Sequence, residues 1–140
     1  MLNKYFIEKK ISLIREDIVR LKQLGSLTAE EIFSNFGKQA IIERLMERIV
    51  TRAIDINQHL ISCLEKNKSP ENYRDTFLFL SDLGIYDKDF GEKIAKSVGL
   101  RNILIHDYDK VDYTILYSSI SDCILDYVKY CNYIIQFLDK

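Results

Sequence analysis

The apolar residues of this chain return every three to five positions over long stretches. Nowhere do they alternate with polar ones over the roughly four to eight positions of a half-buried strand, so the pattern predicts helices throughout. Phe6, Ile11, Ile14, Ile18 and Leu21 share one face of a first helix from about Leu2 to Leu24, which Gly25 closes. Thr28 and Glu31 make a T-x-x-E capping box that starts a second helix, with Gly37 as a candidate break. From Lys38 to about Lys66 the row Ile41, Leu45, Ile49, Ala53, Ile56, Leu60 and Leu64 keeps one stripe facing inward.

NKSPEN is then a turn, with Ser69 as N-cap and Pro70 at the first position of a short helix, Glu71 to Leu83, that ends at Gly84. Asp87 to Ile105 reads as one further helix, DYDKVD as a loop, and Asp112 as the cap of the last helix. Leu116, Ile120, Cys123, Tyr127, Tyr130, Ile134 and Phe137 alternate four- and three-residue steps there, the seam of an antiparallel bundle. The expected fold is all-α, a bundle of about five helices forming one domain over residues 1–140.

Composition narrows this picture. A chain that is 47% hydrophobic and 29% charged can bury a core, and no apolar run is long enough to span a bilayer. The first residues, MLNKYFIEKK, lack the apolar block of a secretory signal, so the expected compartment is the cytoplasm, with no membrane partner. Cys63, Cys123 and Cys131 form no CxxC pair and are expected to be reduced and packed. A net charge of -1 removes the global signature of a nucleic-acid binder, so any RNA contact has to be local.

One stretch resists the core reading. GLRNILIHDY, Gly99 to Tyr108, sets an arginine, an asparagine, a histidine and a tyrosine into an apolar helix end, where unpartnered polar groups are costly. At about 100° per residue, Ile94, Val98 and Ile105 line up toward the core, with Arg101 and Asn102 on either side. Asn102 and His106 stack on one stripe; Arg101 and Tyr108 share another if the helix persists that far. Leu100, Ile103 and Leu104 occupy the remaining arc and call for a covering surface. The same helix of a second copy, related by a two-fold axis, would bring two copies of Arg101 and His106 together.

Arginine and histidine so placed suit phosphodiester chemistry. A guanidinium binds phosphate through two parallel bonds and stabilises the charge that develops there. Imidazole, with a reference pKa near ~6.5, can take a proton from a 2'-hydroxyl or give one to a leaving oxygen, and such a site calls for no metal and no cofactor. The plainer alternative is that both side chains simply bond the last carbonyls of their helix and complement its dipole.

RNILIHDY resembles the R-x4-H-x-Y motif of HEPN-domain ribonuclease toxins, specifically the HepT-like toxins paired with a minimal nucleotidyltransferase antitoxin of the MntA type. ERIVTRAIDINQHLI, Glu47 to Ile61, resembles that family's long second helix, and PENYRDTFLFLSDLGI, Pro70 to Ile85, its following helix and turn. GLRNILIHDYDKVD continues in register. The resemblance implies a HEPN-type helical homodimer with a composite cleft and metal-independent endoribonuclease activity on RNA, tRNA being a frequent target. It matches Arg101 and His106 to the catalytic pair, with Asn102 and Asp107 as supporting groups. Tyr108 matches the tyrosine whose adenylylation by the antitoxin silences the toxin.

Three further features bear on function. Asp55 and His59, four apart in the matched helix, are too few to hold a metal alone and are second-tier candidates for the cleft. Arg44, Arg48 and Arg52 form a positive ladder that either binds RNA or an acidic partner or is a solvated face balanced by Glu43 and Glu47. Tyr127 and Tyr130 sit on the last helix's seam, which favours core over base stacking, and DLGIYDKDFGEK spaces its glycines wrongly for a phosphate loop. The rival function is a non-catalytic helical module that partners a nucleotidyltransferase and helps to place its nucleotide.

Overall fold

The computed structural model describes residues 1–65 and 67–140. Helix α1 spans Lys4–Gly25, α2 Ala29–Phe33, α3 Phe36–Leu64, α4 Tyr73–Asp82, α5 Lys88–Ala95, α6 Ser97–His106 and α7 Tyr113–Leu138, with a 3-10 turn at Tyr108–Lys110 before α7. No strand occurs among the described residues. Helices α1, α3 and α7 pack against one another, α4 and α6 lie on α3, and α5 joins α4 to α6. None of these helices is long and apolar enough to cross a membrane.

Among the described residues there are seven α-helices where about five are expected, because two expected helices are each divided. The first division falls at Ser34 and Asn35 rather than at Gly37. The Asn35 side chain accepts from the Lys38 amide at 3.1 Å and caps α3, so Gly37 lies inside the first turn. The Thr28–Glu31 capping box is present in both directions. The second division is at Lys96, inside the expected 87–105 helix. There the bonds tighten to three-residue spacing, Lys96 N–H to Lys93 and Gly99 N–H to Lys96, while the Ser97 hydroxyl bonds the Ile94 carbonyl at 2.6 Å.

The start of α4 also differs. Ser69 is not its cap and Pro70 not its first residue: Asn72 caps it by accepting from the Asp75 amide at 3.0 Å, and the helix begins at Tyr73. Gly84 ends it as expected, at φ 79°, a left-handed geometry that costs glycine nothing. Asp112 caps α7 through the amides of Thr114 and Ile115. The expected end of α3 at Lys66 lies outside the described residues.

The buried rows follow helical geometry more closely than four-residue steps do. Ile41 is 52% and Leu64 42% exposed, because a strict four-residue row drifts about 40° per step and leaves the core at both ends of a long helix. Ile42, Leu45, Ile49, Ala53, Ile56 and Leu60 are the residues of that face that are buried. The α7 seam is buried from Leu116 to Ile134, with Phe137 half-buried. All three cysteines are free, and burial pushes the thiols of Cys123 and Cys131 up to about 12, so both stay protonated at neutral pH.

Two polar groups are buried on opposite flanks of α3. On one flank the Tyr130 hydroxyl donates to Asn57 Oδ1 at 2.6 Å, and Asn57 Nδ2 donates to Thr76 Oγ1 at 3.1 Å. The Thr76 hydroxyl in turn donates to the Tyr73 carbonyl at 2.7 Å, so one chain of bonds ties α7, α3 and the first turn of α4 together. On the other flank Asp17 of α1, fully buried, meets Arg20, Arg48 and Arg52 at 2.9, 3.2 and 2.8 Å. The arginine ladder is therefore not simply a solvated face: two of its three members turn inward to a buried carboxylate that needs cations.

Replacing Tyr130 by Phe keeps the ring and removes the hydroxyl, leaving Asn57 Oδ1 without its donor. The expected loss of stability is about 1–3 kcal/mol, read as a lower urea midpoint at an unchanged m-value.

Candidate functional site

The site is built on the short helix α6, and its arginine is held from three directions. Arg101 Nε donates to Thr51 Oγ1 of α3 at 3.1 Å, and Nη1 donates to Asn102 Oδ1 at 3.1 Å. The guanidinium carbon lies 5.1 Å from the centre of the Tyr73 ring at the start of α4. A planar cation stacked on an aromatic face and pinned at Nε keeps one orientation, with Nη2 left for another partner. Neither Thr51 nor Tyr73 stood out in the sequence, although both lie inside the segments that carry the family resemblance.

His106 is the last residue of α6 and is exposed. The helix closes behind it through the Asp107 amide, which bonds the Ile103 carbonyl at 2.9 Å. Arg101 makes no bond to the terminal carbonyls of its helix, so the plain capping role does not describe it. Arg101, Asn102, His106 and Asp107 line one open groove of about 550 Å³ between α4 and α6, whose opposite wall is Asn72, Tyr73 and Arg74. Four of the five motif candidates therefore share a groove.

Tyr108 stands apart from that lining. The helix does not persist to it: Asp107 turns the chain out of helical geometry, and Tyr108 opens the 3-10 turn, 67% exposed. The expected stripe shared by Arg101 and Tyr108 is absent for this reason. The core row is as expected at Ile94 and Val98, both buried, while Ile105 is only half-buried. Of the outward arc, Leu100 and Leu104 pack partly against the protein's own core, and Ile103 is left exposed.

Asp55 and His59 lie elsewhere. Lys10 of α1 bonds Asp55 at 2.9 Å, and His59 Nε2 accepts from the Asn3 amide at 2.9 Å beside the Phe6 ring. Both serve the packing of α1 on α3, and neither lines the groove. Among the described residues no three His, Cys, Asp or Glu side chains come together as a metal site.

An arginine held with a free nitrogen beside an exposed histidine, in a groove open to a chain-like ligand, fits a phosphodiester. The profile of the Ribonuclease HepT-like family matches residues 14–134, which contain every group described above except Asn3, Phe6 and Lys10. The chain belongs to the HepT-like ribonuclease family. It is 35% identical over 132 residues to the tRNA nuclease HepT of Aphanizomenon flos-aquae, covering 94% of this chain and 89% of that one. To the mRNA nuclease HepT of Shewanella oneidensis it is 26% identical over 128 residues, 91% and 95% of the two chains.

The fold agrees. The tri-AMPylated HEPN toxin of Shewanella oneidensis, solved in complex with MNT antitoxin, superposes with a TM-score of 0.85 at 25% identity, over 96% of this chain and 98% of that one. The helical bundle expected from the sequence is thus the HEPN fold, and in this chain the groove beside α6 is lined by Arg101 and His106.

If Thr51 and Tyr73 fix the arginine, Tyr73→Leu and Thr51→Val each lower the rate of RNA cleavage without changing the fold. Loss of a cation–π contact or one hydrogen bond corresponds to roughly a 2- to 10-fold effect. Tyr73→Phe and Thr51→Ser, which keep the ring and the hydroxyl, retain the parent rate in the same assay.

Proposed function

We propose that this chain is the toxin of a toxin–antitoxin pair and cuts RNA by attack of a ribose 2'-hydroxyl on the adjacent phosphate. The observation that carries this reading is the groove in which a rigidly held guanidinium and an exposed imidazole face the same opening. The 2'-oxygen forms a bond to phosphorus as its proton passes to His106, and the bond from phosphorus to the 5'-oxygen breaks. A 2',3'-cyclic phosphate is left on one product and a 5'-hydroxyl on the other, with a proton supplied to the departing oxygen. Arg101 binds the non-bridging oxygens and offsets the charge they gain in the transition state.

One imidazole cannot hold the incoming proton and donate a second in the same instant, which gives the two-fold arrangement its purpose. A second copy presenting its own His106 across the groove divides the two proton transfers. The exposed Ile103, one turn before His106, gives α6 an apolar contact for that pairing. No bound metal enters these steps; charge is handled by the guanidinium.

The relatives support the regulatory half of the proposal. A neighbour of the same fold is a tri-AMPylated toxin in complex with an MNT antitoxin, and Tyr108 is the exposed phenol nearest the motif in this sequence. Adenylates on Tyr108 would add negative phosphate and bulk at the mouth of a site that must receive RNA phosphate, so repulsion and blockage follow together. The partner is a nucleotidyltransferase that supplies adenylate from a nucleoside triphosphate.

Unmodified protein incubated with total RNA in EDTA is expected to cut it and leave cyclic phosphate ends. His106→Ala lowers the rate by about 10²–10⁴ with the oligomer intact, the usual range for removing a general acid–base. Intact RNA under these conditions would leave the non-catalytic module standing. Separately, co-production with an MNT-type nucleotidyltransferase is expected to raise the intact mass by whole adenylate units. Tyr108→Phe abolishes that gain, and a gain that persists in this variant puts the modification elsewhere.

A further inference from the structure

The three arginines around Asp17 carry more charge than that carboxylate can balance. Asp17 is fully buried and contributes one negative charge; Arg20, Arg48 and Arg52 contribute three positive ones. Nearby, Arg44 pairs with Glu47 at 2.8 Å and Lys10 with Asp55 at 2.9 Å, while Glu16, next to Asp17, is in no ion pair among the described residues. The three arginines and Asp17 leave an excess of two positive charges, and of one once Glu16 is counted. Exposure grows outward through the cluster, from 17% at Arg52 through 36% at Arg48 to 54% at Arg20.

The geometry separates a structural arginine from two available ones. Arg52 also donates to the Leu13 carbonyl and belongs to the packing of α1 on α3. Arg48 approaches Asp17 through Nε, so that among the described residues its terminal nitrogens have no hydrogen-bond partner; Arg20 uses only Nη1. Two parallel N–H groups presented to solvent are the donor pattern that matches phosphate oxygens. Guanidinium groups gathered on one carboxylate also repel one another, and a bound anion relieves that repulsion.

Position decides which anion. Thr51, the residue that holds Arg101 in the groove, is three residues from Arg48 and next to Arg52 on the same helix. At about 1.5 Å rise per residue that is roughly 4.5 Å along α3 from Thr51 to Arg48. We infer that Arg48 and Arg20 form a phosphate track continuous with the groove, along which single-stranded RNA runs from the cleavage site across α3 to α1. This rests on the RNA-cleaving reading of the groove and extends it to nucleotides flanking the cut.

The test measures binding of a single-stranded RNA oligonucleotide to full-length His106→Ala protein, which does not consume it, across a series of salt concentrations. Neutralising two phosphate contacts in Arg20→Gln/Arg48→Gln lowers the slope of log affinity against log salt by about 1.4, from the ~0.7 expected per single-strand phosphate. Arg20→Lys/Arg48→Lys, which keeps the charge, retains the parent slope; loss of slope in that variant too would overturn the track by tracing the effect to packing. RNA binding with an unchanged slope in the Gln variant overturns the track and leaves the cleavage reading intact. An unchanged slope with weakened binding of the nucleotidyltransferase overturns it in favour of a protein contact. Absence of RNA binding by the parent protein removes both the track and the reading on which it rests.

Discussion

A primary amide closed off between helices is tolerated only where both its ends find partners, and Asn57 finds them on two different helices. Its carbonyl takes the Tyr130 hydroxyl of α7, and its amino group reaches Thr76 of α4. Because each bond has one geometry, the amide fixes the rotation of α4 on α3 in a way that apolar side chains alone would not. Thr76 passes the constraint to the Tyr73 carbonyl, and the Tyr73 ring is what Arg101 lies against. The orientation of the guanidinium is thus tied to a core network that begins at Tyr130 of α7.

The opposite flank of α3 is organised by charge rather than by neutral hydrogen bonds. Asp17 would be strongly destabilising in its fully buried position without cations, and the arginine ladder supplies them from the next helix. The result is a helix locked on both sides: its register against α1 is set by Asp17, Lys10–Asp55 and His59–Asn3, and its relation to α4 and α7 by Asn57. Thr51 lies between those flanks, which is why a hydroxyl in mid-helix can serve as a fixed acceptor for Arg101.

What the sequence made legible was local. Capping at Thr28 and Asp112, the helix stop at Gly84 and the α7 seam as far as Ile134 follow from local sequence, and they stand as read. The first break, expected at Gly37, falls at Asn35, and the one at Lys96 was missed because helical periodicity runs through it; a side-chain cap and a serine bond to Ile94 decide them. Asn72 displaced Ser69 and Pro70 because its amide side chain is the group that reaches the Asp75 amide. At the site, Arg101, Asn102 and His106 could be placed together from spacing, since they belong to one helix end, while Asp107 came with the family resemblance. Thr51 and Tyr73 are contributed by other helices, and no periodicity links them to the motif. The same long-range character hid the fate of Asp55, His59 and the ladder, whose partners Lys10 and Asp17 lie on α1 and Asn3 on its N-cap.

The groove's residues also differ in how firmly they are held, and the difference matches the parts assigned to them. Electrostatic stabilisation works best from a group that need not reorganise as charge develops, and Arg101 is clamped by a hydroxyl, an amide and a ring. A proton carrier instead has to meet one oxygen and then release, and His106 sits at a helix end where the chain is about to turn. Tyr108, beyond that turn and mostly exposed, lies outside the groove lining yet two residues from the imidazole. A phenol buried in the groove could not be reached by a modifying enzyme, and one far from it could not block RNA once modified. Under the proposed function, ending α6 at His106 and starting a separate 3-10 turn at Tyr108 would meet both requirements with a single break in the helix.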